Sequence, residues 1–139
     1  MVGRSSITGI FVMALGVSGC TTTQVVAEQF HLPAGGEAAP GKVAFVELGC
    51  ARCHAVQGQT DLPAPTVVPK VPMPLASRSA SRATDARLVT AIINPNHNIS
   101  GAWRDDVKTE RGSRMRAIND VMTVKQLQDI VAFLRDAQQ

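Results

Sequence analysis

A chain of 139 residues, 45% hydrophobic and 18% charged, has the length and composition of one small domain of an ordinary globular protein behind a short leader. Its net charge of +3, from 14 basic and 11 acidic side chains, is too weak to argue for nucleic acid. Four Phe, one Trp and no Tyr are a poor aromatic supply, so a core built from the chain alone would be marginal.

The first element is an export signal. Arg4 supplies a positive n-region, Ile7 through Val17 an apolar h-region, and Val17-Ser18-Gly19-Cys20 a small-residue site ending in cysteine. The h-region falls short of the ~20 apolar residues that span a bilayer, so residues 1–19 read as a cleaved signal peptide and not as a membrane anchor. Val17-Ser18-Gly19-Cys20 resembles the bacterial lipobox, in which the cysteine is acylated and becomes the first mature residue; the alternative is an ordinary secretory signal with an incidental Cys20. The count of three cysteines favours acylation, because an ordinary cut would leave one odd thiol in an oxidising compartment once Cys50 and Cys53 are used as described below. The expected product is lipid-anchored on the periplasmic side of a bacterial membrane. Residues 20–40 lack sustained periodicity and end in Pro33-Ala34-Gly35-Gly36 and Pro40, which predicts a lipidated tether.

The domain is expected over residues 41–139. Gly41, Phe45 and Leu48 recur at helical spacing and lead into Cys50-Ala51-Arg52-Cys53-His54, a C-x-x-C-H motif. That spacing attaches a c-type haem: each thiol adds across one haem vinyl group to form a thioether, and His54 lands beneath the porphyrin as the proximal iron ligand. A largely apolar macrocycle would also complete the small core. Two other chemistries use C-x-x-C, a thioredoxin-like redox pair and half of a zinc site. The first belongs with a βαβ pattern and does not need the adjacent His; the second needs four ligands, and only His31 and His97 remain as nitrogen donors.

Residues 60–83 read as loop, since Pro63, Pro65, Pro69, Pro72 and Pro74 forbid a regular helix. A second helix is predicted from the N-cap Thr84 to Asn94-Pro95, with Leu88, Val89, Ile92 and Ile93 as its apolar face. Thr123-Val124-Lys125-Gln126 is a capping box opening a last helix whose stripe is Val124, Leu127, Ile130, Val131 and Leu134, with Phe133 at the edge. Nothing in the domain alternates as a strand, so the expected class is all-α.

Three to four short helices around C-x-x-C-H resemble the class I monohaem cytochrome c family, here in a bacterial lipoprotein-type form. The likeness rests on Gly41 and Phe45 before the motif, Phe133-Leu134 in the last helix, and Ile92-Ile93-Asn94-Pro95 followed by Gly101-Ala102-Trp103. It implies the cytochrome c fold wrapped round one covalent haem c, a low-spin iron and electron transfer. It also implies that Pro63 or Pro65 offers a carbonyl to His54, and that Trp103 sits near a propionate or walls the haem edge, unless it is a plain core residue. Similar proteins place the sixth ligand, a methionine thioether, about two turns' worth of residues before the cap of the last helix. That selects Met115, eight residues ahead of Thr123. Met122 reads as packing, Met73 lies before the second helix, and His97 is the replacement donor, with His31 weaker still. Where the family usually has Pro directly after the ligand, this chain has Arg116, which predicts a looser loop and a weaker Fe–S bond.

Arg78, Arg82, Arg87, Arg104, Lys108, Arg111, Arg114 and Arg116 crowd the stretch after the motif. They are either a solvated face or a field that neutralises propionates and steers towards an acidic redox partner. Arg52 is expected at the exposed haem edge. No catalytic constellation is visible beyond the haem, so the expected role is not an enzyme. It is a one-electron carrier between a periplasmic dehydrogenase and a membrane oxidase or another cytochrome. The alternatives are a haem-based sensor with an open or labile sixth site and a dedicated cytochrome subunit of a periplasmic oxidoreductase.

Overall fold

The computed structural model describes residues 30–67, 74–76, 83–97, 99, 101 and 104–139; residues 1–19, Cys20, Pro69, Pro72, Met73, Arg78, Arg82 and Trp103 lie outside the described residues. In chain order the elements are α1 (Ala38–Glu47), a 3-10 turn (Cys50–Arg52), α2 (Asp85–Ile93), α3 (Arg104–Val107), β1 (Lys108–Thr109), β2 (Gly112–Ser113) and α4 (Val124–Asp136).

The capping box at Thr123 starts α4 as expected: the Thr123 side chain accepts from the Gln126 N–H, and the Gln126 side chain accepts from the Thr123 N–H at 2.9 Å. Its buried face is broader than one stripe. Leu127, Ile130, Val131 and Leu134 are buried, but so are Asp129 and Phe133, whereas Val124 is 70% exposed. Two helices cover α4 from different sides, so Phe133 moves from the edge into the core, and Val124, in the first turn, is left beyond both contacts.

One covering helix is α1. Gly41, Ala44 and Phe45 form its buried face, and Phe45 meets Phe133 with ring centroids 5.6 Å apart and planes tilted by 60°, a favourable aromatic geometry. A Cβ on Gly41 would overlap the Asp129 carbonyl and come within 2.9 Å of the Phe133 Cβ, so only glycine permits this close crossing. The other is α2, whose Val89 packs with Leu127 and Val131. Thr84 caps α2 by accepting from the Arg87 N–H at 3.3 Å, and the helix stops before Asn94-Pro95 as predicted. Ile93, expected on the apolar face, is 40% exposed. Met122 and Ile92 touch both clusters and join them into one core.

Two further features differ from the sequence reading. First, α1 begins at Ala38, inside the expected tether, because Pro40 falls in the first helical turn, where no backbone N–H is needed for an intrahelical bond. The segment ahead of it is also strapped to the domain. Leu32 N–H donates to Asp85 Oδ2 at 3.4 Å, Pro33 O accepts from Gln128 Nε2 at 3.3 Å, Gly35 O accepts from Lys125 Nζ at 3.0 Å, and Glu37 N–H donates to Asp129 Oδ1 at 2.8 Å. Second, the all-α domain carries a two-residue antiparallel ribbon, Lys108 opposite Ser113 and Thr109 opposite Gly112. Strands this short leave no alternation for a sequence pattern to register.

Candidate functional site

The C-x-x-C-H segment is shaped by its flanks. Leu48 caps α1 and Gly49 follows with φ +79°, a left-handed residue that ends the helix with its N–H on the Val46 carbonyl at 2.9 Å. The chain then tightens into the 3-10 turn: Cys53 N–H and His54 N–H both donate to the Cys50 carbonyl, at 3.2 and 3.0 Å. With three residues per turn, positions i and i+3 eclipse. Cys50 and Cys53 therefore share one side of the turn, and His54 follows directly.

Cys50 and Cys53 are half-buried free thiols, and Cys50 packs against the core cluster of Phe45, Ile130, Phe133 and Leu134. Burial pushes the Cys50 thiol above its ordinary value, the backbone hydrogen bond at Cys50 opposes, and the neighbouring Cys53 adds to the rise. A redox C-x-x-C works through a depressed thiol pKa, so the environment of Cys50 runs against that reading. Among the described residues no group of three or more His, Cys, Asp and Glu side chains gathers to hold a metal ion, so half of a zinc site finds no completing ligands there. His54 is half-buried, with its Nδ1 shielded from solvent. Two unpaired thiols on one side of a turn with an imidazole after them are the donor set a covalent c-type haem requires.

Chain beyond the motif folds back to fix it. Thr66 and Val67 N–H groups donate to the Arg52 carbonyl at 3.0 and 2.9 Å. Val56 and Leu75 form a parallel bridge in which Leu75 N–H donates to the Ala55 carbonyl at 2.8 Å and Gln57 N–H to the Leu75 carbonyl at 3.0 Å. Lys42 of α1 reaches Asp61 and Gln59 in the same loop, and its hydrogen bond is the main cause of the lowered Asp61 pKa.

Met115 is half-buried on the loop after β2, its N–H donating to Ser113 Oγ at 3.1 Å. Met122 is half-buried between the two core clusters, a packing position. His97 is exposed in the turn after α2, His31 is exposed next to the strap, and Arg52 is exposed within the motif. Arg87, Lys108, Arg111, Arg114 and Arg116 are likewise exposed.

The family model for cytochrome c matches residues 38–138, most of the chain and every element from α1 to α4. The chain belongs to the cytochrome c family. No curated protein and no solved structure matches it. This cytochrome c has the family's mostly helical fold, and with it a covalent haem c and its iron, serving electron transfer. The match begins at the first residue of α1, in agreement with the earlier start of the helix.

Sequence reasoning did not reach Asn96 and Asn119, which tie the Met115 loop to the end of α2, nor Asp129, buried in α4 and joined to Lys125 and to the strap. Only the position of Asn119 shortly before the last helix could have drawn attention to it; the other contacts carry no local signal.

Proposed function

We propose that this protein is a lipid-anchored one-electron carrier on the periplasmic side of a bacterial membrane, passing electrons between a periplasmic dehydrogenase and a membrane oxidase or another cytochrome. The observation that carries the reading is the C-x-x-C-H segment folded into a single turn inside a cytochrome c domain. Cys50 and Cys53 would hold the macrocycle through thioethers, and His54 and Met115 would ligate its iron. The haem supplies the one-electron iron couple.

The chain's own residues govern how that couple is held. The 3-10 turn and the loop bonded to the Arg52 carbonyl keep the two thiols and the imidazole on a rigid base. The Phe45, Ile130 and Phe133 cluster beside Cys50 excludes water from that side, which lowers the local dielectric. A thioether at Met115 is a soft, neutral donor that favours Fe(II) and raises the potential, which suits an electron acceptor. The exposed Arg87, Lys108, Arg111, Arg114 and Arg116 supply a positive field for an acidic redox partner. Acylated Cys20 is the membrane attachment, residues 1–19 being the signal peptide.

A reduced-minus-oxidised spectrum of the protein expressed with periplasmic export tests the reading: sharp low-spin c-type bands are expected. A high-spin ferrous spectrum that takes up carbon monoxide readily would instead mark a haem-based sensor with an open sixth site. Stoichiometric co-purification with one oxidoreductase would mark a dedicated subunit.

A further inference from the structure

Arg116 stands where a stiffening proline is expected after Met115, yet the loop carrying Met115 is held at both ends by side chains. On the N-terminal side, Ser113 N–H donates to Asn96 Oδ1 at 2.6 Å, and Gly112 lies so close to the same amide group that a Cβ there would overlap it. On the C-terminal side, Asn119 Nδ2 donates to the Ile93 carbonyl at 2.8 Å, next in the chain to the buried Ile118. Both bonds end on one short stretch, Ile93 and Asn96, at the C-terminal end of α2. Within the loop, Met115 N–H donates to Ser113 Oγ and Arg114 N–H donates to the Val107 carbonyl at 2.7 Å, which closes the base of the β1–β2 ribbon.

Resting on the reading of Met115 as the sixth ligand, we propose that Asn96 and Asn119 are positioning residues that clamp the Met115 loop to the end of α2 and so hold its thioether on the iron. The clamp replaces backbone stiffness by two tertiary hydrogen bonds. Its physical consequence is a lowered population of the open form, in which the sulfur has left and an outside ligand can enter. One net hydrogen bond corresponds to a change of about threefold to tenfold in such an equilibrium.

The experiment uses the ferric holoprotein and reads imidazole affinity, the far-red Fe(III)–S(Met) charge-transfer band and the midpoint of global unfolding. Asn96→Ala loses the acceptor for Ser113 N–H, and Asn119→Asp loses the donor to the Ile93 carbonyl. Each should bind imidazole about threefold to tenfold more tightly than wild type. Asn96→Asp keeps an acceptor oxygen and should stay within about twofold of wild type, whereas Asn96→Leu keeps the bulk but has no acceptor and should behave like Asn96→Ala, which a merely bulky role for the side chain would not produce. Wild-type imidazole affinity in both Asn96→Ala and Asn119→Asp overturns the clamp, even if global stability has dropped. Failure of the ligand assignment shows separately, as a band that survives in Met115→Ala.

Discussion

Gly41 of α1 lies against the Asp129 carbonyl of α4, with no room between them for a Cβ. This contact sets how closely the two helices cross, brings Phe45 onto Phe133 and places the start of the C-x-x-C-H turn against the same cluster.

Gly41→Ala should therefore destabilise the holoprotein, by about 3 kcal/mol, the upper part of the usual range for overpacking, because the obstacle is backbone and cannot rotate away. Denaturant unfolding followed at the haem bands and in the far ultraviolet measures it. A change under about 0.5 kcal/mol would mean that the crossing is looser than described.

Cys50→Ser combined with Cys53→Ser removes both thioethers and should yield a chain with no covalent haem and poor folding, since the macrocycle supplies apolar volume that four Phe and one Trp cannot. Haem staining after a denaturing gel reads the outcome. Haem retained by the double variant would contradict thioether attachment.

Met115→Ala should abolish the far-red charge-transfer band and lower the reduction potential, because the thioether's preference for Fe(II) is lost. Met122→Ala should leave the spectrum intact and cost about 2 kcal/mol of stability, since Met122 is half-buried between the two core clusters. The reverse pattern would move the ligand seven residues along the chain, to Met122.

Two carboxylates tie the strap and the helices together, and both have pKa values below the ordinary range. For Asp85 the largest cause is the hydrogen bond from Arg135, and the Leu32 N–H also lowers it against burial. For Asp129 it is the hydrogen bond from Lys125, followed by the Glu37 N–H. A lowered native pKa means that below about pH 4 the unfolded chain takes up protons that the folded one refuses. The stability from these groups is thus complete above that pH and lost as pH falls through the native values. Thermal melts between pH 7 and pH 3 should show a flatter acid limb for the Asp85→Asn, Asp129→Asn double variant than for wild type. Parallel acid limbs would remove these carboxylates from the acid response.

Cys20→Ala should block lipoprotein processing and leave an uncleaved precursor or a soluble product. Intact-mass measurement of the wild-type protein decides the point: a mature chain starting at Cys20 without added acyl mass would eliminate the anchor.

The parts of this protein that could be read from the amino-acid order are those whose physics acts within one or two turns of chain. The C-x-x-C-H spacing, the Thr84 cap, the Thr123–Gln126 capping box and the stop at Asn94-Pro95 each need only near neighbours, and the structure places those elements where the residues ask for them. The apolar periodicity of the last helix likewise showed that one side is buried, through Leu127, Ile130, Val131 and Leu134.

Tertiary structure decided how wide that side is and what holds the loops. Phe133 is in the core because α1 crosses there, and Val124 is exposed because nothing does. The start of α1 at Ala38 and the strap ahead of it depend on Glu37 meeting Asp129, 92 residues away, a contact with no local signature. Asn96 and Asn119 are ordinary turn residues by composition, and they become a clamp only when the end of α2 arrives beside the Met115 loop. Caps and spacing encode interactions that the unfolded chain can already sample locally. The breadth of a buried face, the seating of a strap and the bracing of a ligand loop exist only after distant segments have packed, so chain order alone does not display them.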